Sequence, residues 1–261
     1  SFICFPDFNG DGMDDLMIGD TGAYWTAGSG GSLFSPGRSL LLYGQATWTS
    51  GTINAMNLVN AGEGIMFKPP VDTANHWIGG AICIVDLNLD GNIDLVISNA
   101  GADLFKGYVH VVWGGQTLTS PMTLPVDDIS KGMYFKGGAN KQWGSVITSG
   151  DVNGDGNDDL LWVSRSNAVY VALSSSTTIW SLAQTTVSFT ITPSSTGNGF
   201  GSSIGLGDFN GDGFQDIAIG SDQALSFKGI TYVYFGSASP VNLVIPTTAP
   251  AAPDMWSCIS G

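Results

Sequence analysis

Glutamate is almost absent from this 261-residue chain: Glu63 stands alone among 22 acidic residues, and the other 21 are Asp. A solvating acidic surface mixes both acids, so an Asp-only population points to local work such as turns and metal ligation. Basic residues are also scarce, with 8 Lys and Arg and a net charge of −14. That balance excludes nucleic acid and anionic membranes as main partners. Only 11% of residues are charged while 43% are hydrophobic, which excludes a disordered acidic tail. No apolar run approaches the roughly 20 residues of a membrane span, and no signal-peptide pattern opens the sequence, so no membrane insertion is expected. Cys4, Cys83 and Cys258 are odd in number and form no C-x-x-C. A disulfide framework or thiolate zinc site is therefore not expected. The cysteines read as small buried hydrophobes, with one disulfide plus a free thiol as the alternative. Two histidines, His76 and His110, offer little for acid–base chemistry.

What the chain has in abundance is glycine, 37 residues, and a repeat. The pattern D-x-N-x-D-G-x-x-D occurs at residues 7–15, 86–94, 151–159 and 208–216, with starts 79, 65 and 57 residues apart. Short apolar runs flank each copy. Ile3 to Phe5, Ala81 to Ile84, Ser145 to Ile147 and Ser203 to Gly205 precede the loops; Leu16 to Ile18, Leu95 to Ile97, Leu160 to Trp162 and Ile217 to Ile219 follow them. A third run ends near Gly (Leu40 to Gly44, Tyr108 to Gly114, Ala168 to Leu173, Ile230 to Gly236). A fourth completes each unit (Gly64 to Lys68, Gly132 to Lys136, Val187 to Ile191, Asp254 to Ile259). These runs are too short for helices and are bounded by Gly and Asp, so they read as buried strands. Four antiparallel strands per unit predict an all-β fold, a β-propeller of four-stranded blades approximated by residues 1–70, 77–137, 143–192 and 200–261.

Within each loop the odd positions carry oxygen donors suited to a hard cation. They are Asp7, Asn9, Asp11, the Met13 carbonyl and Asp15; Asp86, Asn88, Asp90, the Asn92 carbonyl and Asp94; Asp151, Asn153, Asp155, the Asn157 carbonyl and Asp159; and Asp208, Asn210, Asp212, the Phe214 carbonyl and Asp216. One Ca²⁺ per loop, four in all, is expected. An EF-hand needs a bidentate Glu at position twelve, where this chain has Ile18, Ile97, Trp162 and Ile219. Magnesium suits an all-protein cage less well, and zinc lacks its His and Cys ligands. Asx turns without metal are the alternative. Asp14 and Asp158, at an even position, are expected to face solvent. Of the 22 acids, 14 lie inside the loops, so four divalent ions would take the charge from −14 to −6.

These motifs resemble the FG-GAP repeat, the calcium-loop blade of integrin α-subunit propellers and of bacterial and protist surface proteins. Phe200-Gly201 and Trp143-Gly144 match its Phe-Gly element eight residues before the loop; Ile78-Gly79 is a degenerate copy. The Gly-Ala-Pro element is poorly kept, as at Gly19-Asp20 and Gly220-Ser221. Family propellers usually have seven blades and this chain has four units, so it reads as part of a larger propeller, with a closed four-bladed ring as the alternative. The resemblance implies an extracellular or cell-surface, non-enzymatic protein acting in adhesion or as a building block of a surface assembly, with a protein partner or self-assembly. A lectin-like glycan-binding module and an accessory domain of a secreted enzyme are the competing readings.

Other features carry less. Gly201-Ser202-Ser203-Ile204-Gly205 spells G-x-S-x-G, but a nucleophile elbow needs a helix after its strand, and here the alignment gives an inner strand. The stretch from Asp20 to Ser39 holds Tyr24, Trp25 and seven Gly or Ser between Gly28 and Gly37; it is either a binding loop for protein or carbohydrate or a loop packed on its blade. Pro246 to Pro253 reads as an extended connector.

Overall fold

The computed structural model describes residues 7–22, 37–47, 52, 54–70, 76–139, 141–164, 168–177, 180–194 and 198–245, and the backbone of residues 2–5 and 256–259. The chain is all-β, with four sheets in series. Unit 1 contributes β1 (Phe2–Phe5), β2 (Asp15–Asp20), β3 (Arg38–Leu42), the helix α1 (Ala55–Asn60) and β4 (Gly64–Lys68). Unit 2 contributes β5 (Ile78–Val85), β6 (Asp94–Asn99), β7 (Tyr108–Val112), β8 (Met122–Thr123) and β9 (Gly132–Lys136). Unit 3 contributes β10 (Trp143–Gly150), β11 (Asp159–Ser164), β12 (Ala168–Ala172), β13 (Ala183–Gln184) and β14 (Phe189–Pro193). Unit 4 contributes β15 (Phe200–Gly207), β16 (Asp216–Ser221), β17 (Ile230–Tyr234), β18 (Leu243–Ile245) and β19 (Trp256–Ile259).

The strand order shows more exchange between units than four antiparallel strands per unit predict. Sheet 1 runs β1-β2-β3-β4-β8, sheet 2 β5-β6-β7-β9-β13 and sheet 3 β10-β11-β12-β14-β18. Each fifth strand belongs to the following unit and pairs in parallel with the outer strand of the one before. Sheet 4, β15-β16-β17-β19, departs again: β19 pairs parallel to β17, where β4, β9 and β14 are antiparallel to their neighbours. Four antiparallel strands is thus correct for units 1 to 3 and corrected for unit 4. Among the described residues no sheet closes on itself.

Side chains alternate across each strand, so each sheet has two faces, and both are buried in the middle of the series. The face toward the next unit carries Met17, Leu41 and Ile65 in sheet 1, Cys83, Val96, Val111 and Met133 in sheet 2, and Leu161, Val171 and Phe189 in sheet 3. Each row packs into the core shared with the following unit: one core joins units 1 and 2, a second units 2 and 3, a third units 3 and 4. This two-sided burial accounts for continuous apolar runs such as Leu95-Val96-Ile97.

The two ends of the series differ. The rear face of sheet 1 presents Leu40, Leu42 and Met66, and α1 covers it with Val59, Met56 and Leu58. Asn54 caps that helix, its side chain accepting the amides of Met56 and Asn57 at 3.1 and 3.3 Å. The forward face of sheet 4 carries the small row Gly205, Ala218 and Val233. Among the described residues no apolar core joins unit 4 to unit 1.

Cys83 is a free thiol, fully buried, and burial pushes its pKa up. It behaves as the small hydrophobe the sequence suggests. The side chains of Cys4 and Cys258 lie outside the described residues.

Candidate functional site

Each D-x-N-x-D-G-x-x-D segment joins the first strand of a unit to its second, and all four fold alike. The first Asp gathers loop amides. Asp7 accepts from Gly10 and Gly12 at 2.6 Å and from Asp11 at 2.8 Å. Asp151 and Asp208 do the same with Gly154, Asp155 and Gly156 and with Gly211, Asp212 and Gly213. The Asn at position three accepts the amide of position five and donates its carboxamide to that residue's carboxylate: Asn9 to Asp11, Asn88 to Asp90, Asn153 to Asp155 and Asn210 to Asp212, at 2.8–3.0 Å. The carboxylates of Asp11, Asp90, Asp155 and Asp212 in turn accept the amides of Met13, Asn92, Asn157 and Phe214.

The ninth residue has a second role that the local pattern does not show. Asp15, Asp94, Asp159 and Asp216 are buried. One oxygen of each accepts the amide of the loop's second residue, Phe8, Leu87, Val152 or Phe209. The other accepts an amide just past the third strand, from Gly44, Gly114, Ser174 or Gly236, at 2.8–3.0 Å. One carboxylate therefore ties the loop to the far strand of its unit. Burial, with further upward pressure from the neighbouring loop carboxylates, raises Asp94 and Asp159 to about 7 despite these amides. Asp14 and Asp158 are exposed, as their even position predicts.

Among the described residues no three Asp, Glu, His or Cys side chains stand grouped in a metal-holding arrangement; the loop carboxylates are engaged by amides instead. The donor set still fits a hard cation. Three carboxylates, one carboxamide and one backbone carbonyl fall within nine residues, all oxygen donors. The raised pKa of the buried Asp94 and Asp159 is what a nearby positive charge reverses.

The second loop carries one local fault. Its fourth residue, Leu89, sits at φ +56°, where the other three loops place Gly10, Gly154 and Gly211 at +72° to +81°. A side chain in that region costs roughly 1–2 kcal/mol, partly offset by the greater entropy a glycine loses on folding. Leu89→Gly is expected to stabilise the protein by about 0.5–1 kcal/mol, read as a higher urea midpoint at unchanged slope. A lower midpoint would show that Leu89 contributes packing greater than the backbone strain.

At the opposite end of the same strands lies a cleft of about 650 Å³, bordered by Trp77, Gln142, Ser145, Ser202 and Asp222. Asp222 is the one ionisable side chain of its described lining. The G-x-S-x-G segment runs through β15 with no helix after it, and Ser203 is exposed on sheet 4, whereas both histidines belong to unit 2. Asn99 Nδ2 lies 3.3 Å from His76 Nδ1, and His110 is buried beside the rings of Tyr108 and Tyr134. Residues 23–36, with Tyr24 and Trp25, and the connector 246–255 lie outside the described residues.

Tandem units of one strand, Asp loop and strand design define a repeat protein. Residues 151–219, from the third loop through most of β16, match the FG-GAP-like repeat. No curated protein matches the chain.

Proposed function

We propose that this chain is a calcium-stabilised β-propeller module, its four sheets serving as blades, that acts outside the cell in adhesion or as a building block of a surface assembly and performs no catalysis. The observation that carries this reading is the fourfold recurrence of one loop, with the same donors at positions one, three, five, seven and nine and the same buried ninth carboxylate. The match of residues 151–219 to the FG-GAP-like repeat supports it. Ca²⁺ bound by Asp151, Asn153, Asp155, Asp159 and the Asn157 carbonyl, and by their counterparts, would neutralise the clustered carboxylates. The amide network then holds each loop closed, and the ninth Asp transmits that order to the third strand. Millimolar extracellular calcium keeps even weak oxygen sites filled. Among the described residues no helix is long and apolar enough to cross a membrane.

Titrating Ca²⁺ into metal-depleted protein in a calorimeter tests the proposal. Uptake approaching four ions is expected, falling by one in Asp151→Ala. No uptake at millimolar calcium would sink the metal reading.

A further inference from the structure

Three of the four Asp loops place glycine directly after their Asn: Asn9-Gly10, Asn153-Gly154 and Asn210-Gly211. The second loop has Asn88-Leu89 instead. The difference is chemical as well as conformational, because an Asn side chain is open to attack by the backbone nitrogen of the residue that follows it. That nitrogen gives its proton to solvent base and bonds to the Asn Cγ, and the carboxamide takes up a proton and leaves as ammonia. Water then opens the five-membered imide at one of its two carbonyls, leaving Asp or its β-linked isomer. One water is consumed and one ammonia released. Ring closure requires the chain to fold back at the following residue. Glycine permits this with least hindrance, whereas the side chain of Leu89 obstructs it.

The closed loop holds both reacting groups to other partners. The attacking nitrogen, of Gly10, Gly154 or Gly211, donates to the first Asp of its loop at 2.6–2.7 Å. The Asn oxygen accepts the amide of position five at 3.0–3.1 Å, and its nitrogen donates to the carboxylate of the same residue. Reaction therefore waits on loop opening, and the loops differ in what opposes it. Gly10 and Gly211 are exposed, with nothing within 4 Å of where a Cβ would stand. Gly154 lies under the Phe214 ring of the fourth loop, and a Cβ there would run into it. The third loop opens only if that contact parts as well. A further Asn-Gly pair, Asn198-Gly199, lies outside the loops, and its backbone is pinned. The Asn198 carbonyl accepts the Gln223 amide at 3.1 Å and the Ser221 hydroxyl at 2.7 Å.

We propose that Asn9, Asn153 and Asn210 are self-modifying sites, at which loop opening converts Asn to Asp or its β-linked isomer, and that Leu89 spares Asn88. The change is one-way and disables the loop. A donor to position five becomes a carboxylate facing the carboxylate of Asp11, Asp155 or Asp212. The β-linked isomer also adds a methylene to the backbone, inside a loop whose hydrogen bonds depend on fixed spacing. Units 1, 3 and 4 thus lose their loops with age, in the order in which those loops open, while unit 2 keeps its own. Leu89 strains its backbone at φ +56° and leaves the second loop chemically durable. The inference rests on the amide network, and only its calcium arm depends on the proposed function.

Peptide-mapping mass spectrometry of the full chain tests it, with protein held in mildly alkaline buffer in chelator, in calcium and in denaturant. Each conversion adds about 1 Da. In denaturant Asn9, Asn153, Asn198 and Asn210 are expected to convert together, and Asn88 at least about tenfold more slowly, about 1.4 kcal/mol in barrier height. In chelator without denaturant, Asn9 and Asn210 lead, Asn153 follows and Asn198 stays intact. Calcium is expected to slow the three loops by at least about tenfold. Leu89→Gly is expected to bring Asn88 up to the rate of Asn9. The proposal is overturned if Asn9 and Asn210 stay intact in chelator after the denatured sample has converted. It is also overturned if they convert only in step with Asn198, which reports global unfolding, or if Asn88 remains unmodified in Leu89→Gly. Equal loop rates in calcium and in chelator would retain the modification sites and reject the metal reading.

Discussion

Excess chelator is expected to lower the melting temperature by at least about 10 °C relative to 1 mM calcium. A ligand held only by the folded state stabilises it by about 2.7 kcal/mol when its concentration is 100 times its dissociation constant, and four loops of one design multiply that term. The effect should spread beyond the loops. The ninth carboxylate of each loop reaches from the loop amide to an amide some 15 to 29 residues on, so loosening the loop loosens the contact between first and third strands. Cores shared by neighbouring units then carry the loss along the series, as in other repeat arrays. A chelated protein with an unchanged melting temperature would mean that the amide network alone holds the loops, with Asp acting as a turn former. Asp159→Ala separates the two cases. In calcium it loses both the ion and the ties to Val152 and Ser174; under chelator it loses the ties alone.

The positions of the strands were legible because the sequence repeats, and a repeated apolar run in a fixed relation to an Asp loop is hard to mistake. Leu95-Val96-Ile97 and Leu160-Leu161-Trp162 lie within β6 and β11, buried on both faces. The outer strand of unit 3 was displaced: the run Val187 to Ile191 predicts it two residues early, whereas it spans Phe189–Pro193. Short parallel edge strands such as Met122–Thr123 and Ala183–Gln184 have no sequence signature, because two residues carry no period. The helix α1 has a local signal, Asn54 as cap before Ala-Met-Asn-Leu-Val. The left-handed turns at residues 103–105 and 225–227 have none, since Asp-Leu-Phe and Leu-Ser-Phe are ordinary residues with no preference for positive φ. In the site, the loop residues and their sixth-position glycines follow from spacing alone. The grip of Asp94 on Gly114, 20 residues away, depends on tertiary structure and could not be read locally. The Phe-Gly element likewise marks a contact between units, so its glycine acquires a reason only when the preceding unit is in view.

Acidification is expected to weaken the protein through His110. Its ring is fully buried on β7, with both nitrogens unpartnered. It sits 5.7 Å from the Tyr108 ring and 6.1 Å from the Tyr134 ring. Burial, with a smaller contribution from His76, lowers its pKa from 6.5 to about 3. The folded state thus holds a neutral imidazole that the unfolded chain would protonate. Its contribution to stability is complete above pH 6.5 and is lost as the pH falls from 6.5 toward 3. Between pH 7 and pH 4.5 the loss amounts to about 2–3 kcal/mol. His76, also lowered by burial, adds to the same slope. His110→Phe removes the titrating ring while keeping an aromatic beside the two tyrosines, and removes two unpartnered buried nitrogens as well. Urea unfolding at pH 7 and pH 4.5, with calcium held constant, should therefore show the variant losing about 2 kcal/mol less than the wild type on acidification. The comparison cancels the carboxylates, which titrate in both proteins. An identical loss in the two would mean that His110 gains access to water or a partner before it is protonated, and the acid sensitivity would then belong to the Asp loops.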